Sequence, residues 1–252
     1  MILVDIMNLV KDLIRQKEYL LYFILFVLIK TILIFEVPLL DDEAYFITWG
    51  KTLEMGYYDH PPMIGWITGV MSHLSSSYLF IRLFPFFTII MITCLTYSLV
   101  SRHHRDKALS VSLLFFVSVS SVIHVPALND TAFLFWGSLS LYFFLNNFIK
   151  EKFYNIPLSC MCMAIAFMAK YFAVVLGFIY FVAYVLCNRK KIIPYLVWAF
   201  IFVGPFVYLQ FDWNLNNCWN NVMFNLINRH TGAASFETLT YFATILGFLN
   251  PA

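Results

Sequence analysis

Asp41, Asp42 and Glu43 stand in a row between an apolar run that ends at 37 and a segment whose aromatic residues recur at helical spacing. A carboxylate held beside a low-dielectric surface is a candidate general base, able to take a proton from an acceptor hydroxyl. The competing duty is capping, because acidic side chains favour the positive end of a helix. Asp59 and His60 come just before Pro61 and Pro62, which fix the backbone and push the preceding residue away from helical geometry. One acid and one imidazole are therefore presented rigidly. Asn129 and Asp130 occupy a short connection between apolar runs, where an N-cap role competes with a catalytic one. Lys170 lies midway along an apolar stretch, and a cation at membrane depth costs about 2.5–3.5 kcal/mol unless it faces a partner or a wet cavity. Finally, seven Asn residues between Asn214 and Asn228 alternate with Trp213, Trp219 and Phe224, ahead of Arg229 and His230. Amides and rings together suit a sugar, and the Arg fork suits an anion.

What positions these residues follows from composition. The 252 residues are 62% hydrophobic and 12% charged, against roughly 45–50% and about 25% in a soluble domain. A mean hydropathy of +0.79 with 19% aromatic residues excludes a soluble globule, a disordered chain and a coiled coil. A polytopic membrane protein is left. The net charge of +2 offers no nucleic-acid surface. Five cysteines, mostly inside apolar runs, define neither a disulfide framework nor a metal cage. No GxGxxG, Walker loop, HExxH or CxxC motif is present.

A bilayer core of about 30 Å needs roughly 20 helical residues. The pattern predicts spans at 19–37, the first an uncleaved signal anchor, then 78–100, 107–125 and 130–148. As one helix, the run from Asn155 to Cys187 would be about 50 Å long. It also has basic flanks at both ends, Lys150 and Lys152 before it and Arg189, Lys190 and Lys191 after it. Cytoplasmic loops collect Lys and Arg, so this run is expected to cross twice, as 155–169 and 171–187. Spans at 192–210 and 239–252 complete the expectation. Eight of the 16 basic residues fall in the three inside loops and nine of the 14 acidic residues outside. The carboxylates are thus expected on the outer face, which in a bacterium is the periplasm. Two outer segments, 38–77 and 211–238, are long enough to carry function. In the first, Tyr45, Trp49 and Leu53, then Met63, Trp66, Ile67 and Val70, predict two interfacial helices joined by a turn at 56–62.

Asp42-Glu43-Ala44-Tyr45, Gly56-Tyr57-Tyr58-Asp59-His60-Pro61-Pro62-Met63, Asn129-Asp130 with Phe135-Trp136, and Lys170-Tyr171 together resemble the polyprenyl-phosphate-dependent glycosyltransferases of the GT-C fold. The chain is similar to the lipid A aminoarabinose transferase and protein O-mannosyltransferase families. The resemblance implies an all-α bundle of about 7–8 transmembrane helices forming a single domain over 1–252, C-terminally truncated relative to the family. It implies a hexosyl or pentosyl transferase of the bacterial inner membrane, modifying lipid A or a cell-envelope glycan. A sugar would pass from a polyprenyl-phosphate donor, with inversion, to a lipid, glycan or protein acceptor on the periplasmic side. By the matching motifs, Asp42 is the catalytic acid, with Glu43 beside it and Asp130 a second acid. Charge and depth add Lys170 with Tyr171, and Arg229 with His230, as groups for the donor phosphate or substrate, together with Asp59 and His60. The aminoarabinose branch has Lys where this chain has His60, which exchanges a permanent charge for a titratable one. No cofactor is required by the pattern. Carboxylates at Asp42 and Asp130 suit either a divalent metal or metal-free chemistry, and both stay open. A non-catalytic polyprenyl-lipid binder or transporter would need the same cations and apolar groove without the base.

Overall fold

The computed structural model describes residues 2–150 and 152–227. Among these the chain is all-α. The helices are α1 (Ile2–Arg15), α2 (Lys17–Glu36), α3 (Asp41–Trp49), α4 (Met63–Leu74), α5 (Tyr78–Ile81), α6 (Leu83–Val100), α7 (Arg105–Phe116), α8 (Val119–Ile123), α9 (Asn129–Lys150), α10 (Asn155–Phe167), α11 (Ala173–Cys187), α12 (Ile192–Asn216) and α13 (Asn220–Leu226). Among the described residues, four helical stretches are long and apolar enough to cross a membrane: Lys17–Glu36, Tyr78–Val100, Asn129–Ile149 and Arg189–Asn216. The chain therefore reads as a multi-pass membrane protein. Much of its apolar surface faces outward, as on α12, where Ile193 and Phe200 are exposed, because lipid tails are the solvent there.

α9 is the central helix, touching α4, α6, α10 and α11, while α10 also lies along α12. Without a hydrophobic drive between helices in lipid, close packing and interhelical polar contacts hold them. Ser140 on α9 donates to the Ser159 carbonyl on α10 (2.9 Å), and Ser159 donates back to the Ser140 carbonyl (3.0 Å). Beside them Phe144 stacks on Tyr180 of α11 with centroids 4.0 Å apart.

Several elements depart from the expected layout. The N-terminal tail is an amphipathic helix, α1, packed on α6, α2 and α7; the spacing of Ile6, Leu9 and Leu13 carries that signal. The run 107–125 is broken into α7 and α8 at Ser118, whose Oγ accepts from the Ser121 N–H (3.2 Å) and caps the second piece. Arg82 interrupts 78–100 between α5 and α6. By contrast, residues 155–187 divide into two helices, α10 and α11, joined by a turn at 168–172. α12 runs on to Asn216, so 211–216 is helix rather than loop. No breaker follows Pro205, and Asn214, Asn216 and Asn217 donate to the carbonyls of Gln210, Asp212 and Trp213, each four residues back. Lys30, a cation inside the first span, turns inward and donates to the Ser121 carbonyl. The predicted span at 239–252 lies outside the described residues.

Candidate active site

The segment between α2 and α5 folds back over the helical bundle. α3 and α4 approach with backbones in contact: a Cβ on Gly50 would lie 2.6 Å from Gly69 N, so only glycine allows the crossing. Thr68 of α4 donates to the Phe46 carbonyl of α3 (2.9 Å). Tyr57 stacks on Trp49 at 4.1 Å and 7°, and its buried hydroxyl lies within 3.0 Å of the Trp49 and Thr52 carbonyls. Burial raises the Tyr57 phenol above its usual range, which keeps it a donor.

The Asp59-His60 turn is fastened from several directions. Tyr45 Oη donates to Asp59 Oδ1 (3.3 Å), and His60 Nε2 lies 3.9 Å from Asp59 Oδ2. From α13, Asn221 donates to the Tyr57 carbonyl and Asn225 to the Asp59 carbonyl, each at 2.8 Å. Gln210 of α12 donates to the Met55 carbonyl (2.5 Å) and accepts from Tyr171 Oη (2.9 Å). Trp213 closes on Gly56, where a Cβ would sit 2.7 Å from the indole ring. Asn221 and Asn225 thus hold the turn that carries the acid. Burial, with help from the Asp59 carboxylate, pushes the Tyr45 phenol up to about 12.

The turn also meets the α10–α11 connection. Met63 N–H, just past Pro62, donates to the Met168 carbonyl (2.9 Å), two residues before Lys170. Lys170 Nζ lies 2.5 Å from Asp130 Oδ1 at the start of α9, and both side chains stay partly open to solvent, 31% and 50% exposed. Asn129 Oδ1 accepts from the Asp130 N–H (2.9 Å), which fixes the first turn of α9. Three separate connections, 56–62, 129–131 and 168–171, are therefore tied to the same end of the bundle.

The two acids at 42 and 43 have different settings. Asp41 and Asp42 are exposed in the first turn of α3. Glu43 is fully buried, and Arg82 grips it, Nη2 to Oε2 at 2.7 Å and Nε to Oε1 at 3.0 Å. Its Oε1 also accepts from the Ala127 N–H (3.3 Å), three residues before Asp130. Arg82 completes its coordination with the carbonyls of Ile34, Val37 and Pro38. This pair clamps the end of α2, the start of α3 and the approach to α9, and both side chains are closed to solvent. The sequence signal for Arg82 is its being a lone Arg inside the predicted span 78–100. Arg229 and His230 lie outside the described residues. Among the described residues no three His, Cys, Asp or Glu side chains converge to hold a metal ion.

A stretch of 36 residues, 14% of this chain, is 47% identical to the lipid A galacturonosyltransferase RgtD of Rhizobium johnstonii (strain DSM 114642 / LMG 32736 / 3841). It covers 8% of that relative's length. No solved structure matches. The family model described as dolichyl-phosphate-mannose-protein mannosyltransferase matches residues 59–209, which take in Asp59, His60, Asp130 and Lys170 and more than half of the chain. The chain belongs to this family of GT-C glycosyltransferases.

Proposed function

We propose that the protein transfers a sugar from a polyprenyl-phosphate-linked donor to a lipid, glycan or protein acceptor at the periplasmic face of a bacterial inner membrane, with inversion at the anomeric carbon. The observation that supports this most is the Lys170–Asp130 pair on a partly open face beside the Asp59-His60 turn. An ammonium has three donor positions. One is engaged by Asp130, and the others are available to a phosphate oxygen, so Lys170 holds the donor headgroup while its isoprenoid tail lies in the bilayer.

Asp42 takes the proton from the acceptor hydroxyl. The acceptor oxygen then bonds to the anomeric carbon as the bond from that carbon to the phosphate oxygen breaks, and polyprenyl phosphate leaves with the electron pair. Positive charge at Lys170, and at Arg229 beyond the described segment, steadies the charge that develops on the leaving phosphate. Glu43 and Arg82 act by position, setting where α3 begins and hence where Asp42 stands. Asp59 and His60 shape the turn that Met63 ties to the Met168 carbonyl, and Gln210 of α12, itself held by Tyr171 of the α10–α11 turn, braces it at Met55.

The test is incubation of the protein, in its membrane, with a labelled polyprenyl-phosphate sugar and a membrane acceptor extract, with the product's anomeric configuration read by NMR. Transfer with inverted configuration is expected. Donor binding without any transfer would leave a lipid binder or transporter instead.

A further inference from the structure

α1 sorts its charges. Its two acidic residues turn into the bundle: Ser98 Oγ of α6 donates to Asp5 (2.5 Å), Arg102 lies 3.8 Å from Asp5, and Tyr97 donates to Asp12. Its cations, Lys11 and Arg15, point outward and are exposed. They share that outward face with Val4, Met7 and Ile14, which are 59, 57 and 62% exposed. At 100° per residue these five positions fall within an arc of about 100°. A water-facing helix would gain nothing from this separation, since mixed charges solvate equally well. An apolar strip studded with cations, with every acid turned away, fits the plane where acyl chains meet anionic headgroups. Long basic side chains can keep their stems in the apolar layer and their heads at the phosphates.

Two further observations point the same way. α2, a candidate membrane span, begins at Lys17 with one residue between it and the end of α1 at Arg15, so α1 ends at the membrane boundary. Alongside it runs an apolar crevice of about 240 Å³ lined by Leu9, Leu13, Ile14, Leu20, Phe23 and Ile90, of a size for part of an acyl chain.

We infer that α1 is a docking helix for anionic phospholipid, taking the headgroup on Lys11 and Arg15 in the leaflet where α2 begins. This surface is separate from the carboxylate and lysine site, and the inference does not rest on the proposed transfer reaction. Each cation near an anionic surface favours it by a factor of about five, so two together give a preference on the order of tenfold or more. The experiment is native mass spectrometry of the full chain in neutral detergent, with phosphatidylglycerol competing against phosphatidylcholine of the same acyl chains. Wild type should retain phosphatidylglycerol on the order of tenfold better, and the double variant K11Q/R15Q should show less than about twofold preference. Thermal unfolding in phosphatidylcholine checks the variant's fold. Raising salt with the unaltered protein gives an arm that needs no variant, because screening should erode the preference. Absence of a preference in wild type, or one that survives both K11Q/R15Q and high salt, overturns the inference.

Discussion

Lys170 and Asp130 are 40 residues apart in sequence, yet the ammonium lies 2.5 Å from the carboxylate, joining the α10–α11 turn to the start of α9. Both side chains remain partly exposed. A half-open pair contributes little to stability, in the range of about 0–1 kcal/mol, while a cation at membrane depth costs more than that unless its charge has a use.

Lys170→Gln should therefore leave the thermal midpoint nearly unchanged and raise the donor KM at least about tenfold, as expected when a charge-assisted contact to phosphate is lost. Steady-state kinetics over a range of donor concentration, alongside a melting curve, measures both. A large drop in midpoint with an unaltered KM would assign Lys170 to the fold.

Glu43 should behave in the opposite way. Removing one partner from a buried ion pair strands a charge and costs about 3–5 kcal/mol, so Glu43→Gln and Arg82→Ala should lower stability by that order or prevent accumulation in the membrane. Detergent melting curves and membrane yield report it. A Glu43→Gln protein of normal stability that has lost only turnover would return Glu43 to the reacting groups.

Trp213 packs where Gly56 has no side chain. Gly56→Ala must displace the indole or the loop, and overpacking of this kind costs about 1–3 kcal/mol. The loss should be largely relieved in Gly56→Ala/Trp213→Leu, a coupling that a double-mutant cycle detects. Additive losses would show that the contact does not hold the turn.

The Tyr45–Asp59 hydrogen bond has a pH signature. Tyr45 is raised from its ordinary 10.0 to about 12, first by burial and then by Asp59. A folded-state value above the unfolded one means that its contribution is complete below pH 10 and is lost as pH rises through about 12. Difference absorbance titration of wild type against Tyr45→Phe should show this phenolate emerging well above pH 10. Emergence at the ordinary value would break the link to Asp59.

Much of the fold was legible because the apolar runs are long and the basic flanks fall between them. The break at 168–172 followed from the length of 155–187 and its two basic ends. Less visible were features decided by tertiary contact. The sequence around Ser118 is apolar enough to continue a span, and the break between α7 and α8 is marked by the Ser118 capping bond and by the Ser118 and Ser121 hydroxyls turned to the Phe115 and Phe116 carbonyls. Nor does adjacency reveal that Asp42 and Glu43 differ: one helical step turns Glu43 inward to Arg82 and leaves Asp42 in solvent. The Asn residues of α13 looked like sugar ligands from composition, whereas Asn221 and Asn225 reach backbone carbonyls 164 and 166 residues away. Partners at that separation leave no local signature.

The most direct measurement compares Asp42→Asn with wild type for donor binding and sugar transfer in the same preparation. Loss of general-base help should lower turnover by on the order of 10²–10⁴-fold, with the donor still bound at wild-type affinity and the fold intact. Transfer at the wild-type rate by Asp42→Asn would contradict the account.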